Sequence, residues 1–364
     1  MKLRCPTCGT VYEGDVKFCA KDGGRLLPMG GTPVAPTPTG QPGETAPRAA
    51  VTEGEQKTEL RHSSMAGQVL DGRYHIVKKV GEGGMSYVYL AHDVSTNERY
   101  AIKILSPGLS QDTNAMARLR REAALGIRLE HPNVCHIVRM GETEDGLVYV
   151  VMPFVEGEVL SDRNNRLGVI PLSQVARWVT EIGAGLQVAH DLKIIHRDLK
   201  PENVMICTRA DGVESAVVMD FGLAKERRSG AELEKLTATG IILGTPEFMS
   251  PEQLRGKTLD ARTDVYSLAL MTYEMLTGKL PFDGRNQQEL MIARLRAEPI
   301  PLRERRPDLS FPEAVENALL RAMARDPDAR PASTVDFARE FAAAAAPPTS
   351  AVTGGGLLSK LFKR

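Results

Sequence analysis

One short loop concentrates the reactive side chains of this chain: Ile195-His196-Arg197-Asp198-Leu199-Lys200-Pro201-Glu202-Asn203. It places a carboxylate, an ammonium and a carboxamide within a few residues of one another. A second acidic triplet, Asp220-Phe221-Gly222, follows downstream. Phosphoryl transfer needs that combination. A carboxylate orients the attacking hydroxyl, a cation neutralises the moving group, and oxygen ligands hold Mg2+ against the phosphates.

Two more stretches belong with the loop. Gly81-Glu82-Gly83-Gly84-Met85-Ser86-Tyr87-Val88 is glycine-rich, and Ala101-Ile102-Lys103 follows it. A lone glycine cluster is a weak signal, more often a turn than a nucleotide site. Here it lies between two β-like runs. A dinucleotide-binding loop instead opens a helix, and its third glycine is Ser86 in this chain. The one Walker A candidate, Gly256-Lys257-Thr258, has Pro251 where the first glycine belongs. Taken together, the four stretches resemble the protein-kinase signature set. The resemblance spans residues 67–343, and its details are similar to the Ser/Thr protein kinases of bacteria.

That resemblance implies a role for each matched residue. Gly81, Gly83 and Gly84 form a flap over the phosphates of ATP, where absent side chains let backbone amides approach. Lys103 pairs with the α- and β-phosphates and with Glu122 on the following helix. Val88, Ala101 and Met205 enclose the adenine and Met152 sits behind it, while the Pro153 carbonyl and the Val155 amide bond its edge. Asp198 orients the substrate hydroxyl and Lys200 neutralises the γ-phosphoryl. Asn203 and Asp220 hold Mg2+. Thr245 bridges Asp198 and Lys200, a mark of the Ser/Thr class. Gly126, one turn past Glu122, stands where the family often packs a large apolar residue. Glu252 pairs with Arg330, and Asp264 caps the backbone of the catalytic loop. The segment Leu223 to Ser250 is the activation loop. Within it Thr237 and Thr239 are the expected autophosphorylation sites, with Arg197 as the cation that receives the phosphate. The competing view is a scaffold that binds nucleotide without chemistry. Such scaffolds typically lack one of Lys103, Glu122, Asp198, Asn203 or Asp220, and here all are present.

The elements that must carry these residues can be read from pattern. Tyr74 to Val80, Ser86 to Ala91 and Arg99 to Leu105 are β-branched and aromatic runs separated by turn residues. Short connections between consecutive strands imply an antiparallel meander rather than βαβ units. Met116 to Leu129 has helical spacing, Leu147 to Met152 reads as a buried strand, and Val175 to Leu192 and Val265 to Leu276 read as long apolar helices. The expectation is an α+β bilobal kinase fold, with a β-rich N-lobe at 67–152, a hinge at 153–157 and a helical C-lobe at 158–343.

The flanks differ in character. Of the five cysteines, Cys5, Cys8 and Cys19 crowd the N-terminus. Cys5-Pro6-Thr7-Cys8-Gly9 looks like a zinc-ribbon knuckle, and its partner reads Cys19-Ala20-Lys21-Asp22. Residues 1–29 are therefore either a small ribbon that closes Zn2+ with Cys5, Cys8, Cys19 and Asp22, or a degenerate knuckle. Residues 30–66 are rich in Pro, Gly, Thr and Ala and read as a disordered linker. Residues 344–364 read as a flexible tail. The chain has 364 residues and a formal net charge of zero. It therefore has no overall basic field, which argues against a nucleic-acid partner. The kinase resemblance implies protein substrates and a kinase–kinase dimer for phosphorylation in trans. No apolar run approaches the ~20 residues of a membrane span. The N-terminus has no apolar signal region, and the cysteine pattern suits a reducing compartment, so the expected location is the cytoplasm.

Overall fold

The computed structural model describes residues 2–4, 10–13, 27–28, 65–83, 86–105, 113–144, 146–221 and 246–347. The chain divides into two units, residues 1–51 and 52–364. In the first, β1 (Lys2–Arg4) pairs antiparallel with both β2 (Val11–Glu13) and β3 (Leu27–Pro28). Cys5, Cys8, Cys19 and Asp22 lie outside the described residues.

The second unit opens on an antiparallel sheet in the order β4-β5-β6-β7-β9-β8. Its strands are β4 (Val69–Leu70), β5 (Tyr74–Gly83), β6 (Ser86–Asp93), β7 (Arg99–Leu105), β8 (Arg139–Glu142) and β9 (Val148–Pro153). Alternation sorts their side chains between two faces. Ile102, Ile104, Tyr149 and Val151 pack on one face with Ile76, Tyr89 and Met65. Ala101, Leu105, Val148, Val150 and Met152 pack on the other, beneath Met116, Leu119 and Ala123 of the helix Thr113–Gly126. Lys103 lies between Ala101 and Leu105, so the period of the strand sends it to the helix-covered face.

Three boundaries differ from expectation. The fold begins earlier than residue 67, because Met65 is buried against the sheet. Strand β5 runs beyond Val80 to Gly83, helped by irregularities between Ile76 and Lys78 and between Lys79 and Gly81. The helix expected to reach Leu129 ends at Gly126, where a Cβ would stand 2.7 Å from Ile137 Cδ1. Ile137 thus fills the space left by the missing side chain.

Beyond Pro153 the chain becomes mainly helical. The helix Arg262–Thr277 runs through the middle of this lobe, buried on nearly all sides. The helices Leu172–Asp191, Glu313–Ala322 and Thr334–Ala345 pack around it, with Trp178, Phe337 and Phe341 fully buried. A small antiparallel sheet, β10 (Glu158–Val159), β11 (Val204–Thr208) and β12 (Glu214–Val218), joins the hinge to the strands flanking the catalytic residues. Among the described residues no helix is long and apolar enough to cross a membrane.

Candidate active site

One strand, the segment just past another and one loop meet at the site. Strand β7 delivers Lys103, only 8% exposed, and its Nζ lies 2.9 Å from Oδ1 of Asp220, just past β12. The catalytic loop follows the helix Leu172–Asp191. Its Asn203 donates from Nδ2 to the Asp198 carbonyl at 2.7 Å and to Asp198 Oδ2 at 3.2 Å. Lys200 Nζ stands 3.7 Å from the same Oδ2. One carboxylate therefore faces both an amide and an ammonium. These five residues thus form a pair, Lys103 with Asp220, and a trio, Asp198 with Lys200 and Asn203.

The loop is held from beneath by Asp264, fully buried at the start of the helix Arg262–Thr277. Its Oδ2 accepts from the His196 amide at 2.8 Å, its Oδ1 accepts from the Arg197 amide at 3.0 Å, and His190 Nε2 lies 2.7 Å from Oδ2. Burial alone would raise the Asp264 carboxyl. The His190 bond and charge, with the His196 amide, outweigh it and hold the group below its ordinary range. His196 Nε2 meets the Met219 carbonyl at 2.9 Å, and its ring packs edge-on against Phe221 with centroids 4.8 Å apart. His196 is thus a bracket between the loop and the Asp220 segment.

The adenine-side residues are partly brought together. Val88 packs against the cluster containing Ala101 and Met152, and Phe154 and Val155 border it. Met205 sits on β11 in register with Val159 and Val217. Gly81 pairs with Val88 and Gly83 with Ser86. Behind Met152, Cys135 directs its thiol at the Pro153 carbonyl, 3.7 Å away. Burial, with Asp220 nearby, pushes that thiol up to about 12, so it carries little nucleophilic thiolate. Gly84, Thr237, Thr239 and Thr245 lie outside the described residues, as does the side chain of Glu122, whose backbone belongs to the helix Thr113–Gly126. Lys103 therefore shows one acidic partner among the described residues, Asp220.

The protein kinase domain family matches this chain over residues 74–341. The chain belongs to that family. The serine/threonine-protein kinase pkn3 of Myxococcus xanthus is 37% identical over 277 residues, covering 76% of this chain and 51% of the relative. PrkC of Bacillus subtilis is 36% identical, with 72% of this chain and 39% of the relative covered. PknB of Mycobacterium leprae is 37% identical, with coverages of 72% and 41%. The chain thus spans about half, or less, of the length of these relatives. Among solved structures, the Mycobacterium tuberculosis PknI kinase domain (C20A mutant) superposes with a TM-score of 0.60 at 27% identity, over 78% of this chain and all of that one. The kinase domain of this chain carries the two-lobed arrangement, β-rich then helical, with the catalytic loop and Asp220 between the lobes.

One structural support escaped the sequence reading. Gln253, in the short helix Pro251–Leu254, donates from Nε2 to the Arg197 carbonyl at 2.6 Å. The string Ser250-Pro251-Glu252-Gln253 has the spacing of a capping box, and that signal could have singled it out. The expected pair of Glu252 and Arg330 is present and bidentate, at 2.8 Å for each oxygen. Burial opposes ionisation of Glu252, but the Arg330 bond and charge hold the carboxyl below its ordinary range.

Proposed function

We propose that this chain is a Ser/Thr protein kinase, transferring the γ-phosphoryl group of ATP to hydroxyls of protein substrates. The observation that carries the reading is the set around Asp198. One carboxylate is within reach of the Lys200 ammonium and the Asn203 amide, with the Lys103–Asp220 pair supplied from the sheet. In this reading Asp198 receives and orients the hydroxyl, and Lys200 compensates charge on the transferring group. Lys103 holds the remaining phosphates from the sheet side. The donor chemistry suits Mg2+. Asn203 spends its nitrogen on Asp198 and keeps an amide oxygen for a hard cation, and Asp220 adds a carboxylate. When bound, the ion would screen the phosphate oxygens. Asp198→Asn should lower turnover about 10²–10⁴-fold while ATP binding, read by thermal shift, persists. Wild-type turnover in that variant would overturn the assignment, and nucleotide binding without turnover in the wild type would favour a scaffold.

The finer proposals follow from the sequence. Thr237 and Thr239 are autophosphorylated in trans, in a transient kinase–kinase pair, and the phosphate pairs with Arg197, whose buried Nε has no hydrogen-bond partner among the described residues. Mass spectrometry after incubation with ATP tests this, and two unmodified threonines would refute it. The N-terminal cysteines bind Zn2+ through Cys5, Cys8, Cys19 and Asp22, which zinc analysis of wild type against Cys5→Ser decides. Signalling in the bacterial cytoplasm is the setting these features suit.

A further inference from the structure

Arg197, immediately before the catalytic aspartate, has φ +64°. The Asp198 amide donates to the His196 carbonyl at 2.8 Å, so a hydrogen bond spans a single residue of left-handed backbone. That is the less common, strained form of the three-residue turn. Such a conformation costs on the order of 1–3 kcal/mol and persists only where its surroundings impose it. Both peptide groups of Arg197 are in fact held. Its N–H goes to Asp264 Oδ1, and its carbonyl accepts from Gln253 Nε2.

Gln253 has a second attachment. Its Oε1 accepts from the Ser250 amide at 2.9 Å, and its own amide donates to Ser250 Oγ at 3.3 Å. The side-chain amide therefore uses its oxygen on the cap of the Pro251–Leu254 helix and its nitrogen on the strained turn. A carboxylate would satisfy the first role and fail the second, since it has no hydrogen to give.

We propose that Gln253 is a positioning residue for phosphoryl transfer, fixing the orientation of Asp198 by clamping the Arg197 carbonyl of the strained turn. The inference rests on the kinase reading above. Gln253 is bonded to the Arg197 carbonyl and to Ser250, not to the residues assigned to nucleotide or acceptor. It acts through Arg197, and its loss lets the turn relax and the Asp198 carboxylate wander, which slows the chemical step more than it weakens binding.

The experiment compares wild type, Gln253→Glu and Gln253→Met as full-length chains. Radiolabelled transfer to casein and to the chain itself is measured with Tm and with hydrogen exchange over residues 196–199. Gln253→Glu keeps the cap, so its Tm should fall less than that of Gln253→Met. Its kcat should fall about tenfold, the effect of one hydrogen bond, with the ATP KM unchanged and exchange at 196–199 faster. Gln253→Met should show the same kcat loss together with a lower Tm. A Gln253→Glu enzyme with wild-type kcat and exchange, beside a defective Gln253→Met, would reduce Gln253 to a helix cap and overturn the proposal. Absence of transfer by the wild type counts against the kinase reading instead. The exchange measurement, which needs no turnover, then decides separately whether Gln253 holds the turn, and unchanged exchange in both variants refutes it.

Discussion

Replacing Glu274 by Gln should make the protein less sensitive to rising pH, and the structure sets both sign and size. Glu274 lies near the end of the buried helix Arg262–Thr277, where Asn164 Nδ2 donates to its Oε2 at 3.0 Å. Burial, with the Glu202 and Glu247 carboxylates nearby, pushes Glu274 up to about 7, and the Asn164 bond only partly opposes this. In the unfolded chain the group returns to its ordinary 4.5. Between pH 4.5 and about 7 the unfolded state releases its proton while the folded state keeps it, so stability declines across that window. Below the window both states are protonated and the effect vanishes. Above it the cost is fully present. The gap from 4.5 to about 7, at about 1.4 kcal/mol per pH unit, gives about 3 kcal/mol as an upper bound. Glutamine preserves the acceptor for Asn164 and adds a donor for Asn164 Oδ1, which is buried without a partner among the described residues. Urea denaturation at pH 5 and at pH 8.5 measures the variant against wild type, so contributions from other groups cancel. The variant should gain between the two pH values by roughly 1–3 kcal/mol. A difference independent of pH, or one that shrinks as pH rises, would refute the reasoning.

Two further predictions concern packing. Arg330→Ala removes a side chain that is fully buried and bidentate to Glu252, leaving an uncompensated buried carboxylate. The loss should be about 3–5 kcal/mol, seen as a Tm lower by roughly 10 °C. Gly157→Ala would place a Cβ 2.3 Å from the Ile206 carbonyl oxygen, which as backbone cannot swing aside. The β10–β11 contact next to the hinge must then open, lowering stability by about 1–3 kcal/mol and raising the ATP KM, with calorimetry and initial rates as the checks.

Much of this architecture was legible because it is written in local pattern. Strand β7 stands out as a β-branched and aromatic run, and Lys103 within it is marked by the resemblance of Ala101-Ile102-Lys103 to the kinase signature. The apolar helix through Leu268 and Met275 announces its own burial. The catalytic string is contiguous, so its spacing alone brings Asp198, Lys200 and Asn203 to one place. Contacts between residues distant in sequence were legible only where the resemblance supplied them, as for Glu252 with Arg330 and Asp264 with the catalytic loop. The small sheet β10-β11-β12 is built from short strands whose pairing only the folded hinge creates. Ile137 filling the gap at Gly126, the bond from Asn164 to Glu274 and the clamp from Gln253 to Arg197 are of the same kind. Only the last has a motif beside it, the capping box at Ser250 and Gln253, and that box does not name Arg197 as a partner. The partner of Lys103 was read from resemblance as Glu122, while its described contact is Asp220, which lies beyond the catalytic loop.

These long-range contacts explain how a strained turn can be kept at the centre of a catalytic site. Arg197 is held by side chains from two elements, and both belong to one connected assembly. Asp264 opens the central helix and is itself braced by His190. Gln253 follows Glu252 directly, and Glu252 is locked by Arg330 and accepts from Thr263, the residue next to Asp264. The Glu252–Arg330 pair therefore lies between the two clamps rather than apart from them. A lesion there should loosen both attachments of Arg197 at once. Arg330→Ala assayed well below its lowered Tm should thus show a fall in kcat that a comparably destabilising lesion elsewhere, such as Phe341→Ala, does not. Equal kcat values in the two variants, at matched fractions folded, would mean that the pair stabilises the lobe without reaching the turn.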